Sequence, residues 1–160
     1  MSRGRNHPKI NIVQPDPVYQ SVALGKFINY ILLDGKKSVA QKIVYTALEQ
    51  IGKKTNLDPM EVFDTAIKNA SPVLEVKGKR IGGANYQIPF EVPRARRQTL
   101  AMKWMIASAR GKQGKPMSEF LAEEITDAYH NTGAAMKKKD DMHRMADANK
   151  AFAHFAKFTG

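Results

Sequence analysis

The stretch from Val73 to Arg110 changes its periodicity halfway, and that change constrains the fold more than any other feature of the chain. VLEVKGKRIGGANYQIPFEV alternates apolar and polar residues on both sides of Gly82-Gly83. Tyr86, Ile88, Phe90 and Val92 share one face, and Gln87, Pro89 and Glu91 share the other. Two such runs joined by a glycine pair predict a β-hairpin, because glycine reaches the positive φ that tight turns require. Pro89 cannot donate to a ladder, so its strand is expected at an edge or in an isolated ribbon. A lone ribbon is marginal in water and must lean on helices through Tyr86, Ile88 and Phe90, or be completed by a partner. PRARRQTLAMKWMIASAR follows at helical spacing.

Charge is concentrated in the same place. Residues 73–115 hold ten Lys/Arg against two Asp/Glu, which supplies +8 of a net charge of +11. A basic arm, residues 1–15, adds Arg3, Arg5 and Lys9 with no acid, and the two remaining segments are nearly neutral. A fold does not need that concentration; a polyanion does. With 160 residues and 42% hydrophobic content, one packed domain is expected. No apolar run approaches a membrane span and no signal pattern opens the chain. The absence of Cys removes disulfides, thiol nucleophiles and thiolate metal sites, and suits a reducing compartment.

The rest of the chain reads as helices. The first is expected to begin at Asp16-Pro17, with Val18, Val22, Phe27, Ile28, Ile31 and Leu32 inward and Gly35 as its end. The second spans Ser38 to Ile51, burying Val39, Ile43, Val44, Ala47, Leu48 and Ile51, with Gly52 as stop. The third opens at Asp58-Pro59, with Glu61 near its cap and Met60, Phe63, Ala66, Ile67 and Ala70 as core. Helix four, Arg94 to Arg110, is expected to bury Leu100, Ala101, Trp104 and Ala107. Its Arg96, Lys103 and Arg110 recur every seven residues, and it contains no Asp or Glu to neutralise them, which points to phosphate. GKQGKP, with Lys112 and Lys115, reads as a flexible basic linker. Helix five turns Met117, Leu121, Ile125 and Ala128 inward and Glu119, Glu123, Glu124 and Asp127 outward. Lys137, Lys138 and Lys139 fall early in a last helix, where the macrodipole disfavours cations unless phosphates lie nearby. Met142, Met145 and Phe152 are expected to pack.

No catalytic constellation emerges. GKKS at 35–38 resembles a phosphate loop, but Tyr30 stands where its first glycine belongs and Lys37 replaces Ser or Thr. The glycines of GKRIGG are wrongly spaced for a dinucleotide fingerprint. His7, His130, His143 and His154 form no metal-binding pair, so neither a metal nor any other cofactor is expected. Asn69-Ala70-Ser71 matches a glycosylation acceptor without a secretory signal to make it relevant.

DGKKS (34–38), VKGKRIGGANYQIPFEVPRARR (76–97), LAMKW (100–104) and KKKDDMHRMADANKAFAHF (137–155) occur in order over nearly the whole chain. Together they resemble the bacterial-type small-subunit ribosomal protein seven family. The resemblance implies a mostly α single domain of about six helices, with a protruding β-hairpin between helices three and four. It also implies a binding function without catalysis: attachment to the three-prime major domain of small-subunit rRNA, nucleation of head assembly, and a position beside exit-site tRNA and the mRNA path. Small-subunit ribosomal protein eleven and other head proteins are the implied neighbours, in the cytoplasm or in an organelle with its own ribosomes. RNA contact falls on Lys36 and Lys37, on Lys77, Lys79 and Arg80 of the hairpin, on Arg94, Arg96, Arg97 and Lys103, and on Lys137, Lys138, Lys139, His143 and Arg144. By composition, Arg3, Arg5, Lys9, Arg110, Lys112 and Lys115 join them.

Two other readings compete. A winged-helix DNA-binding regulator would gather its cations on one recognition helix and wing, whereas these are spread over four segments. A peripheral membrane protein needs a basic helical face beside exposed bulky apolar residues. On sequence grounds, replacing Arg96 and Arg97 together by Ala should weaken RNA binding and leave the thermal midpoint nearly unchanged; fluorescence titration and a thermal melt check the two halves separately.

Overall fold

The computed structural model describes residues 12–158, and the arm cations Arg3, Arg5 and Lys9 lie outside them. Its described part contains six α-helices, one two-stranded antiparallel sheet and a terminal 3-10 helix. The helices are α1 (Val22–Ile31), α2 (Lys37–Thr55), α3 (Pro59–Ala70), α4 (Arg94–Gly111), α5 (Met117–Tyr129) and α6 (Gly133–Ala148), with the 3-10 helix at Lys150–Phe158. The strands, β1 (Leu74–Ile81) and β2 (Ala84–Glu91), fall between α3 and α4, as the resemblance implies.

The core is a helical stack around α5, which packs on α2, α3, α4 and α6. Phe27 of α1 and Phe63 of α3 meet edge-on with ring centroids 5.2 Å apart, and Leu48, Ile51, Leu121 and Ile125 are sealed from solvent beside them. Each such side chain contributes about 1.5–3 kcal/mol by leaving water. The Asp58-Pro59 signature works as expected: Asp58 accepts the amide of Met60 and Pro59 opens the helix. Val62, fully buried, was missed from that face.

Asp16-Pro17 carries the same signature and does something else. Gln20 takes φ +53°, so the chain makes a turn and α1 starts only at Val22, capped by Ser21, whose hydroxyl accepts the amide of Leu24. Val18 and Val22 are consequently exposed, and the helix ends at Ile31, ahead of Gly35. Helix α2 runs straight through Gly52 and stops where Asn56 adopts left-handed geometry. A single interior glycine costs about 1 kcal/mol of helix propensity, less than the packing of Leu48 and Ile51 returns. Val39, expected in this core, is 51% exposed.

Helix α4 is rotated from its expected orientation. Ala101, Met102, Met105, Ile106 and Ala109 are buried, Leu100 and Trp104 are half-buried, and Ala107 faces solvent. On α5, Glu124 turns inward and is 2% exposed. On α6, Met142 is half-buried but Met145 is 45% exposed.

The hairpin turns where expected, at Gly82-Gly83. Gly82 and Gly83 take φ +56° and +88°, and Ile81 pairs with Ala84, Lys79 with Tyr86, and Lys77 with Ile88. Pro89 is the exception to the face pattern: it is buried, as are Ile88 and Val92, because both sides of the hairpin base are covered. Support comes from α6 and the terminal 3-10 helix. Tyr86 lies 5.0 Å from the ring of Phe152 and 5.8 Å from that of Phe155. Such contacts are worth on the order of 1 kcal/mol each beyond buried area. Replacing Phe152 and Phe155 together by Ala should therefore speed amide hydrogen exchange across β2 while α2, α3 and α5 keep their protection. Unchanged exchange in β2 would show that this aromatic brace does not hold the hairpin.

Candidate nucleic-acid interface

The candidate cations fall into two groups once their partners are seen. The first group is engaged within the protein. Arg96 forks onto Glu75 of β1, with Nε 2.9 Å from Oε1 and Nη2 2.9 Å from Oε2. Glu75 is nearly buried, and Lys77 approaches the same carboxylate at 3.3 Å while lying over the Phe90 ring. The hydrogen bond from Arg96 holds the Glu75 carboxyl below its ordinary range, against the opposing effect of burial, and Glu75 in turn raises Arg96. Arg97 donates to the carbonyl of Val92 at 2.7 Å and reaches Glu91 at 3.4 Å. The acids that α4 lacks are thus supplied by the hairpin before it.

The supposed linker 112–115 is clamped in the same way. Lys112 pairs with buried Glu124 at 2.7 Å and Lys115 with Glu123 at 2.7 Å. Glu124 holds the Lys112 ammonium above its usual range, and the hydrogen bond from Lys115 lowers Glu123. Arg110 donates to the carbonyl of Ile31 at the end of α1, and Lys139 to that of Asn69 at 2.6 Å. Asn69 itself donates to the carbonyls of Ala128 and Tyr129. His143 accepts the amide of Val73 through Nε2 at 3.0 Å. Lys37 bonds Asn29, Lys103 lies over the Tyr30 ring at 5.6 Å, and Arg144 is 3.7 Å from Asp141. Lys79 stands on the Lys77 face of the hairpin opposite Tyr86.

The second group consists of Lys36, Arg80, Arg94, Lys137 and Lys138. Their side chains are exposed, and among the described residues nothing holds them. Their placement is informative. Arg94 opens α4, whose first turn has no acid and no side-chain cap, and α6 likewise begins without either. Cations near a helix N-terminus cost about 0.3–1 kcal/mol each. For Arg96 and Arg97 the hairpin carboxylates offset that cost; for Arg94, Lys137 and Lys138 nothing among the described residues does.

A cleft of about 630 Å³ places one of this set, Arg94, beside cations of the engaged group. Arg94, Arg97 and Lys139 line it with Lys68 of α3, over an apolar floor that includes Ala23 and Ile67. Lys68 was missed in the sequence because it sits alone in an otherwise acidic helix; its position in the last turn of α3 was the available signal. Asp64 on the wall is raised by burial and by the charge of Asp58. Among the described residues no group of His, Asp or Glu could hold a metal ion, and no helix is long and apolar enough to cross a membrane.

Residues 2–150 match the family described as ribosomal protein S7p/S5e. The chain is also 56% identical to the small ribosomal subunit protein uS7 of Natranaerobius thermophilus over 155 residues, covering 97% of this chain and 99% of that protein. The proteins of the same name from Thermotoga petrophila and Dictyoglomus turgidum are each 55% identical, over 94% and 89% of this chain and 97% and 92% of theirs. The chain belongs to the ribosomal protein S7p/S5e family. Members of the S7p/S5e family are structural components of the ribosome rather than enzymes.

The ion pairs revise one half of the thermal expectation. Arg96→Ala leaves Glu75 nearly buried without its fork, so the thermal midpoint should fall, and more than for Arg94→Ala. The pH dependence has a definite sign. Because folding lowers the Glu75 pKa, its contribution is complete above the ordinary carboxylate range and is lost as pH falls through the folded value. Urea melts of Glu75→Gln should show a shallower loss of stability on acidification than the parent. Lys112→Ala should cost about 1–3 kcal/mol by stranding the Glu124 carboxylate; an unchanged urea midpoint would contradict that role.

Proposed function

We propose that this chain binds the three-prime major domain of small-subunit rRNA, nucleates assembly of the subunit head, and lies beside exit-site tRNA and the mRNA path. Ribosomal protein eleven of the small subunit is the proposed neighbour across the head–platform gap. Membership of the S7p/S5e family supports a ribosomal role. The observation that carries the RNA reading is the set of exposed cations left unmatched among the described residues at separate places: before α2, at the hairpin tip, and at the starts of α4 and α6. Several spaced patches suit the shape of a folded RNA junction, where phosphate contacts supply affinity and their arrangement supplies selectivity.

Two features weigh against the DNA-regulator reading. The helix preceding the hairpin, α3, buries Val62, Phe63, Ala66, Ile67 and Ala70 and has Lys68 as its one cation. The hairpin cations, moreover, divide between two faces, with Lys77 and Lys79 on one and Arg80 on the other. The membrane reading loses its basis because Met102, Met105 and Ile106 of α4 are buried rather than displayed.

Equilibrium binding to a transcript of the three-prime domain, compared across a salt series with scrambled RNA and equal-length duplex DNA, tests the proposal. The domain RNA should win by about a thousandfold or more at physiological salt, the scale that separates specific from non-specific association. Equal affinities that fade together with salt would leave a generic polyanion binder and overturn the reading.

A further inference from the structure

Helices α1 and α4 meet around a second cavity, of about 320 Å³, lined by Tyr30, Lys103, Ile106, Ala107 and Arg110. Its lining combines an aromatic ring, two apolar side chains and two cations, with no acid among them. Three other clefts each carry a carboxylate, from Asp64, Glu49 and Asp34. Tyr30 is half-buried, and its position is set from α4. Its hydroxyl lies 3.3 Å from that of Thr99, whose own proton goes to the carbonyl of Ala95 at 3.2 Å, so Tyr30 is the donor. The ring is therefore held by its tip about one helical turn before Lys103. The Lys103 ammonium stands over that ring, 5.6 Å from its centre, and among the described residues no carboxylate pairs with it. Arg110, further along α4, donates to the carbonyl of Ile31 at 3.0 Å and ties the end of α1 to the same wall. Ile106 is buried, whereas Ala107 faces solvent.

A phosphate alone has no use for an aromatic wall, and a tyrosine that only packs has no use for two cations beside it. A nucleotide uses both. The volume is at the lower end of the roughly 300–1,000 Å³ of small-molecule sites, which admits one base and excludes a duplex. Unpaired bases of a folded RNA are taken up in this way, stacked on aromatic side chains with cations at the backbone. We propose that Tyr30 is the stacking residue of a seat for one unpaired RNA base, and that Lys103 leaves the ring for the phosphate of the same nucleotide. This deepens the RNA-binding function proposed above and rests on it. Because Thr99 already pins the ring, little side-chain freedom is lost on binding. Every base has a face to stack, so the seat selects an unpaired nucleotide rather than a sequence. Its contribution is also one that salt does not screen, unlike that of the exposed cations.

The test is the affinity of full-chain variants for the three-prime domain transcript, measured across a salt series. Tyr30→Leu should weaken binding by about fivefold or more, the lower end of what one stacked base contributes, and leave the salt slope unchanged. Lys103→Gln should instead lower the slope by about one unit. Tyr30→Phe, which keeps the ring and loses only the bond to Thr99, should bind close to the parent. Ala107→Leu fills the seat from an exposed position of α4, so it should weaken binding as Tyr30→Leu does; it keeps the test decisive if Tyr30→Leu does not fold. Parental affinity in Tyr30→Leu or in Ala107→Leu would overturn the proposal, as would a loss in Tyr30→Phe equal to that in Tyr30→Leu. If the parent selects domain RNA over scrambled RNA while either leucine variant binds as the parent does, this proposal alone falls. Failure of the parent to select that RNA would remove the functional reading itself.

Discussion

The fork of Arg96 on Glu75 is the interaction on which the arrangement of this protein's basic surface depends. Helix α4 begins immediately after β2, so the direction of the helix and the direction of the hairpin are coupled through Pro93. An isolated two-stranded ribbon has little stability of its own, and Arg96 fixes one strand to the helix while Arg97 grips the end of the other through the carbonyl of Val92. The aromatic rings of Phe152 and Phe155 then brace the outer part at Tyr86. The hairpin tip can therefore project from the helical body and still hold a defined position relative to Arg94.

That coupling explains why a strongly basic segment divides its labour. A net charge of +8 within residues 73–115 would repel itself if all of it faced outward. Instead the few carboxylates nearby are spent on particular cations: Glu75 on Arg96 and Lys77, Glu91 on Arg97, and Glu123 and Glu124 on Lys115 and Lys112. These pairs set the geometry of the α4–α5 corner and of the hairpin base. Cations outside the pairs keep their charge available at the surface. Exposed, unspent charge and structural clamping are thus distributed over different residues of one basic stretch, although the boundary is softened where a paired residue such as Arg97 also lines the cleft.

Much of the fold was legible because its signals are local. The Gly82-Gly83 turn and the alternation around it specify both hairpin and register, and Asp58-Pro59 specifies a helix start without outside help. Asp16-Pro17 shows the limit of that logic. The same two residues cap a turn when the chain reverses at Gln20 and a tyrosine from α2, 29 residues away, claims the second carboxylate oxygen. Orientation of α4 failed for a related reason: Leu100, Trp104 and Ala107 make one apolar stripe and Met102, Met105 and Ile106 another, and only packing against α5 and α6 selects between them. Lys112 looked like part of a linker because Glu124, its partner, reads as one more outward acid in an acidic helix. In the candidate interface the positions of the cations were therefore visible in the sequence, whereas their division into engaged and available was not.

The measurement that tests this division most directly compares two triply neutralised chains for thermal stability and for the salt dependence of binding to the three-prime domain RNA. One carries Arg94→Gln, Lys137→Gln and Lys138→Gln; the other carries Arg96→Gln, Arg110→Gln and Lys112→Gln. The first set should lower the salt slope by about one unit per phosphate contact removed and leave the melting temperature close to that of the parent. The second should lower the melting temperature and change the slope less. A salt slope reduced equally by both sets, with equal melting temperatures, would contradict the account.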